Sequence, residues 1–200
     1  MVDGWNGERQ KGTTIDEIEF GHVARYNYTL RYIIKDHDVL DAACGCGYGT
    51  NILAQNAKRV VGVDYSNEAI EYAKRYWSAN NIEFLQYDLN SDNYDKLGKF
   101  DIITSFETIE HLPAPILETI LKFRNILKKD GLLILSHPED EPSKFPGAYA
   151  LRLTFHFHFK LKGDAITQLM QLAGFDIKDD WYQSGRWGFP YHIIVGRKIT

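Results

Sequence analysis

Three glycines at alternate positions, Gly45, Gly47 and Gly49, follow the apolar run Val39-Leu40-Asp41-Ala42-Ala43 and precede a helical pattern from Thr50 to Ala57. Glycine admits positive φ and leaves no Cβ in the path of a ligand. A strand, a glycine-rich bend and a helix start together form the usual cradle for a nucleotide-like ligand. Asp64 strengthens that reading. It follows a second apolar run, Arg59-Val60-Val61-Gly62-Val63, and an acid about 20 residues after such glycines can accept hydrogen bonds from both ribose hydroxyls. A further cluster, Glu107, Glu110 and His111, sets an imidazole beside two carboxylates. An imidazole titrates near neutral pH, so His111 has the chemistry of a general base for a hydroxyl proton.

Which nucleotide the bend takes depends on the residue ahead of it. A dinucleotide site shows G-x-G-x-x-G, with its third glycine packing helix on sheet. Here the order is Asp-x-x-Cys-Gly-x-Gly, from Asp41 to Gly47. An acid in that place suits a cationic amino-acid moiety and repels a pyrophosphate. The segment resembles the class I S-adenosylmethionine-dependent methyltransferases, which commonly carry Leu-Asp-x-Gly-Cys-Gly-x-Gly there. Ala43 stands where the first glycine of that pattern usually falls, and alanine is small enough to keep the turn. The resemblance covers roughly residues 37 to 137. The string Gly7-Glu8-Arg9, with His22, Arg25 and Tyr26 further on, also resembles the N-terminus of bacterial and phage methyltransferases encoded near glycosyltransferases.

This resemblance implies S-adenosylmethionine as the cofactor and assigns parts to particular residues. The backbone of Ala43, Gly45 and Cys46, behind Asp41, faces the methionine part. Asp64 takes the ribose, and Tyr65 packs on the adenine face. Asp88 accepts from the adenine amino group while the Leu89 N–H meets a ring nitrogen. Phe106 lies beside the sulfonium. Arg25 or Tyr26, on an N-terminal lid helix, meets the cofactor carboxylate. For the Glu107–His111 segment three readings stay open: His111 as the base, the three side chains as ligands of a divalent metal, as in ubiquinone-pathway O-methyltransferases, or a pair that only shapes the loop.

These residues need a scaffold that brings strand ends together, and the alternation of the chain supplies one. Strands are expected at Val39–Ala43, Val60–Val63, Ile82–Tyr87, Phe100–Phe106 and Leu132–Ser136, the first two apolar and β-branched as buried parallel strands are. Helices are expected at 20–34, 67–77 and 115–127, with Ser66 an N-cap and Pro113 and Pro115 marking a start. The polar stretch 90–99 reads as a loop or short helix. This alternation predicts an open parallel α/β sheet with helices on both faces and right-handed crossovers. Later residues read as a loop at 139–150, a period-two stretch at 153–159 that puts His156 and His158 on one face, a helix at 162–173 capped by Gly174, and two strands, Phe175–Asp179 and Tyr191–Gly196. Those strands are too close for a helical crossover, so they pair antiparallel, which is how the resembled family completes its Rossmann-like, seven-stranded sheet. Residues 1–36 then form an N-terminal segment with the lid helix, and 37–200 the methyltransferase domain. His137 ends the fifth strand and joins His156 and His158 as a second histidine group.

Composition narrows the partners. The chain has 200 residues, 44% hydrophobic and 25% charged, with net charge -4, which is ordinary for one soluble α/β domain. That balance gives no pull toward nucleic acid. No apolar run approaches the roughly 20 residues that span a membrane. The only two cysteines, Cys44 and Cys46, lie too close to staple a fold, which points to a reducing cytoplasmic setting. Trp181, Tyr182, Trp187, Phe189 and Tyr191 cluster late and suit a flat or sugar-like acceptor. The expected chemistry is methylation of a hydroxyl on a small molecule or sugar. A nucleic-acid or protein methyltransferase, or a non-catalytic cofactor-binding scaffold, are the rival readings.

Overall fold

The computed structural model describes residues 9–91, 93–139, 163–184 and 190–200. Strands β1 (Asp38–Ala42), β2 (Arg59–Asp64), β3 (Ile82–Gln86), β4 (Phe100–Phe106), β5 (Leu127–Pro138), β6 (Phe175–Ser184) and β7 (Pro190–Lys198) form one sheet. Their order is β3-β2-β1-β4-β5-β7-β6. It is the expected seven-stranded Rossmann-like arrangement, mostly parallel, with antiparallel pairing at β5–β7 and β7–β6. The chain divides into two compact units, Met1–Asp88 and Leu89–Thr200.

In the first unit β1 and β2 are buried nearly throughout. They therefore carry apolar runs in place of alternation, because both of their faces are covered. Parallel pairing sets Asp41 opposite Gly62 and Ala42 opposite Val63. Helix α1 (Phe20–Thr29) ends earlier than its periodicity suggests and tightens into a 3₁₀ turn, Leu30–Tyr32. A short helix, α2 (Tyr48–Ala54), leaves the glycine bend. Helix α3 (Asn67–Tyr76) starts where expected. The Ser66 hydroxyl accepts from the Ala69 N–H at 3.2 Å, a cap that contributes about 1 kcal/mol. Its inner face is Ala69, Ile70 and Ala73.

In the second unit the polar stretch after Asn90 holds a 3₁₀ turn at Tyr94–Leu97. Helix α4 (Ile116–Ile126) begins just after Pro115 and buries Ile116, Thr119, Ile120, Phe123 and Ile126 at helical spacing. Strand β5 starts earlier than expected. Leu127 pairs with Phe100, the register then shifts, and Ile102 pairs with Leu132. Asp130, at φ 59, makes the irregularity, so the Asp130-Gly131 signal marks a bulge inside the strand. Helix α5 (Gly163–Leu172) buries Ile166 and Met170, and Gly174, at φ 83, follows it as a left-handed C-terminal residue. Strand β6 runs past Asp179 and carries Trp181 and Tyr182.

Among the described residues no helix is long and apolar enough to cross a membrane. Residues 140–162, and with them nearly all of the expected loop, the 153–159 stretch, His156 and His158, lie outside the described residues. So do Gly7, Glu8, Trp187 and Phe189.

Candidate functional site

The bend after β1 is built from left-handed backbone. Ala43, Gly45 and Gly47 have φ of 66, 54 and 91. For Ala43 such a conformation costs about 1 kcal/mol, so the position where the resembled pattern has glycine does use a glycine-like geometry. The Cys44 N–H donates to the Val63 carbonyl at 2.8 Å and the Gly47 N–H to the Cys44 carbonyl at 3.1 Å, locking the turn. A Cβ on Gly45 would meet nothing within 4 Å. At that point the bend presents bare backbone to open space, the property a ligand cradle needs.

Gly47 is the reverse. Its Cβ would stand 2.5 Å from Ala73 Cβ and 2.9 Å from the Phe84 ring. Gly47→Ala combines a disfavoured φ with overpacking against a helix, and should destabilise the fold by about 2–3 kcal/mol, measured as a shift of the urea midpoint at constant slope.

Asp64 joins the bend to β2. Its side chain is buried, and its Oδ2 accepts from the Gly45 N–H at 3.0 Å. Oδ1 accepts from the Ser66 N–H at 2.9 Å and from Arg9 at 3.0 Å. The two motif parts, 19 residues apart in sequence, therefore touch. Arg9 also lies over the Tyr65 ring, 5.0 Å from its centroid. Burial works against the Arg9 charge, yet Asp64 and Tyr65 hold its guanidinium above the ordinary range. Tyr65 itself is exposed. In the sequence Arg9 stands out only within the string Gly7-Glu8-Arg9. Its link to Asp64 spans 55 residues, and no local spacing announces it.

Asp41 occupies a different place. It is 0% exposed. Its Oδ1 accepts from the Tyr26 hydroxyl at 3.2 Å and its Oδ2 from the Thr50 hydroxyl at 2.7 Å. Arg25 and Tyr26 are likewise buried. Burial first, then the Asp41 charge, push the Tyr26 phenol well above its ordinary range, so it stays a donor. The Tyr26 ring covers Gly49, where a Cβ would fall 2.0 Å from it. Tyr26 thus fastens α1 onto the bend. Thr50, which completes the cluster, carried no signal beyond its place in the helical pattern.

His22 adds a pH dependence. Its Nδ1 lies 3.1 Å from the Tyr48 hydroxyl, and burial, with the neighbouring Arg25, pushes it down to about 3. A histidine depressed in the folded state binds its proton only after unfolding between that value and about 6.5, so stability falls as pH drops through this window. Its other close charge, Glu19 at 3.7 Å, does not reverse the sign. His22→Gln should remove about one proton from the uptake on unfolding at pH 5, read from the slope of stability against pH.

Cys44 and Cys46 are free and buried. Burial raises both thiols, Cys46 up to about 11, so neither is a thiolate nucleophile. Asp88 is exposed at the end of the first unit.

In the second unit Leu89 is buried and its carbonyl accepts from Tyr94 at 2.7 Å. Phe106 is buried and ends β4. Glu107 follows at φ 50, a conformation that costs of order 1–3 kcal/mol and collects at functional sites. Ser136 on β5 holds it: the Glu107 N–H donates to the Ser136 carbonyl at 3.1 Å, and the Ser136 hydroxyl donates to the Glu107 carboxylate at 2.6 Å. A 3₁₀ turn, Ile109–His111, comes next. His111 Nε2 is 3.9 Å from Glu110 Oε1, with Glu110 buried and His111 29% exposed. Among the described residues no three His, Cys, Asp or Glu side chains gather as metal ligands.

Comparison with known proteins identifies the family and the fold. A family model described as a methyltransferase domain matches residues 22–179. A probable S-adenosylmethionine-dependent methyltransferase of Mycolicibacterium smegmatis is 29% identical over 154 residues, 75% of this chain and 56% of that protein. The ubiquinone biosynthesis O-methyltransferase of Haemophilus ducreyi is 34% identical over 123 residues, 56% of this chain and 50% of that protein. The chain thus spans about half the length of the curated relatives it matches. Among solved structures, magnesium protoporphyrin IX methyltransferase from Synechocystis with bound SAH aligns with TM-score 0.74 at 19% identity, covering 94% of this chain and 90% of that one. An N-methyltransferase from Bradyrhizobium japonicum in complex with S-adenosyl-L-homocysteine aligns with TM-score 0.70 at 18% identity, covering 90% and 86%. At such identities these structures speak to the fold alone.

Proposed function

This chain belongs to the methyltransferase-domain family, whose cofactor is S-adenosylmethionine, and on that premise we propose that it transfers the sulfonium methyl group to a hydroxyl of a small-molecule or sugar acceptor. The observation that carries the cofactor part is the contact between Gly45 and Asp64: bare backbone facing open space, held directly to a buried carboxylate. The hydroxyl acceptor is favoured by the ubiquinone O-methyltransferase relatives and by His111.

In this reading bound S-adenosylmethionine would supply an electrophilic methyl group to the acceptor oxygen, leaving S-adenosylhomocysteine, and His111 would take the hydroxyl proton. The sulfonium is already a good electrophile, so the protein's part is positioning and removal of that proton. Asp64 accepts from the ribose, with Tyr65 flanking the adenine and Asp88 and Leu89 at its edge. The backbone of Ala43, Gly45 and Cys46 runs along the methionine part, and Phe106 lies beside the sulfonium. Asp41, Arg25 and Tyr26 serve the cofactor's amino-acid end, Asp41 acting through the Tyr26 and Thr50 hydroxyls that it holds. Trp181 on β6 and Tyr191 on β7, which share a face of the sheet, suit a ring-shaped acceptor through stacking.

The test is labelled S-adenosylmethionine supplied with a panel of phenols, sugars, an RNA and a protein extract, followed by mass spectrometry. Label on a hydroxyl of a small acceptor supports the proposal. Label only on the macromolecules, or tight S-adenosylhomocysteine binding with no transfer to any acceptor, would favour a rival reading.

A further inference from the structure

The second unit buries two histidines that the proposed reaction does not use. His137 on β5 and His192 on β7 are 0% and 1% exposed and stand opposite each other in antiparallel register. His192 Nε2 lies 2.5 Å from Asp180 Oδ1. Its Nδ1 lies 3.3 Å from His137 Nε2, and His137 Nδ1 lies 3.1 Å from the Pro138 carbonyl oxygen. Thr167 on α5 donates to the second Asp180 oxygen at 3.0 Å and so orients the carboxylate. The Tyr182 ring stacks on His192, 4.6 Å between centroids and 12° between planes.

Counting protons along this chain gives its charge. Both ends, an ionised carboxylate and a peptide carbonyl, only accept. His192 Nε2 and His137 Nδ1 must therefore each carry hydrogen. The middle contact joins two ring nitrogens and needs one proton between them. That makes three protons on four nitrogens, whereas two neutral imidazoles carry two. The pair holds one excess proton, its charge is balanced by Asp180, and a stacked tyrosine face is a favourable neighbour for it.

We infer that His137, His192 and Asp180 form a buried site for one exchangeable proton, shared by two imidazoles and opening to solvent at Asp180. The Asp180 side chain is 36% exposed, so it is the end at which the proton enters and leaves. On release, one N–H proton passes by way of Asp180 to water. Two protons remain, and one of the three contacts becomes lone pair against lone pair. The occupied site ties β5, β7 and β6 together by side chains; the empty site has one contact fewer.

The experiment uses the full chain labelled with ¹⁵N-histidine, with proton–nitrogen spectra at neutral pH for the wild type and for Asp180→Asn. Expected are three protonated ring nitrogens among the four of His137 and His192, and loss of the third proton in Asp180→Asn with the amide spectrum preserved. Two neutral rings in the wild type, or all three protons kept in Asp180→Asn, would overturn the inference. Should that variant not fold, the wild-type spectrum decides by itself: three protonated ring nitrogens support the site and two go against it. Neither readout involves S-adenosylhomocysteine or methyl transfer, so the site stands or falls separately from the proposed function.

Discussion

Asp64→Asn should weaken S-adenosylhomocysteine binding about a hundredfold while leaving the fold in place. A ribose diol donates two hydrogen bonds to the carboxylate, and bonds to a charged partner are worth about 1.5–3 kcal/mol each. Asparagine keeps the shape of the side chain and one accepting oxygen. It removes the charge and replaces the other acceptor with a donor. One ribose bond is lost and the other loses its charge assistance, a deficit of about 2–4 kcal/mol, which brackets a hundredfold change in Kd. The same exchange leaves one oxygen for the Gly45 N–H or the Ser66 N–H, both of which now bond Asp64, and takes the charge from the Arg9 pairing, which is part-buried. Thermal unfolding without ligand should therefore move by only a few degrees, and that comparison separates a binding defect from a folding one. Calorimetry of both proteins under one buffer gives the answer. A Kd within threefold of the wild type would place the ribose elsewhere and take the cofactor assignment of Asp64 with it.

How much of this was legible in the sequence depends on the range of the interaction. Runs such as Val60–Val63 and Phe100–Phe106 declare strands because their burial is continuous, and Ser66 declares a helix start because a cap is a three-residue matter. Boundaries shift where tertiary contacts decide them: β5 is lengthened by the pairing of Leu127 with Phe100, which no local pattern encodes. The cradle follows the same rule. Gly45 and Asp64 were readable because the bend and the next strand end recur at a fixed spacing, whereas Arg9 reaches Asp64 through 55 intervening residues. Tyr26 was singled out for the cofactor, but its hydroxyl is engaged by Asp41 and its ring by Gly49. His192 carried no signal: antiparallel register alone brings it opposite His137, while His156 and His158, expected in the same group as His137, lie outside the described residues.

His111→Ala should lower kcat by about 10²–10⁴, the range over which a positioned general base acts, with S-adenosylhomocysteine affinity unchanged within threefold. The local structure is arranged to hold this side chain. The Thr108 hydroxyl donates to the Phe106 carbonyl at 2.9 Å and the His111 N–H to the Thr108 carbonyl at 2.9 Å, closing the turn immediately after β4. The strained Glu107 is kept in place by hydrogen bonds from and to Ser136. Glu110, buried and 3.9 Å away, faces the imidazole. A residue that only shapes the loop predicts something else: a modest loss of kcat. His111→Gln distinguishes the two cases further, since glutamine fills the site and bonds within it but cannot carry a proton away. Recovery of activity in His111→Gln would assign the residue to loop structure, whereas equal inactivity in both variants, with the cofactor product still bound, leaves proton removal as the role of His111.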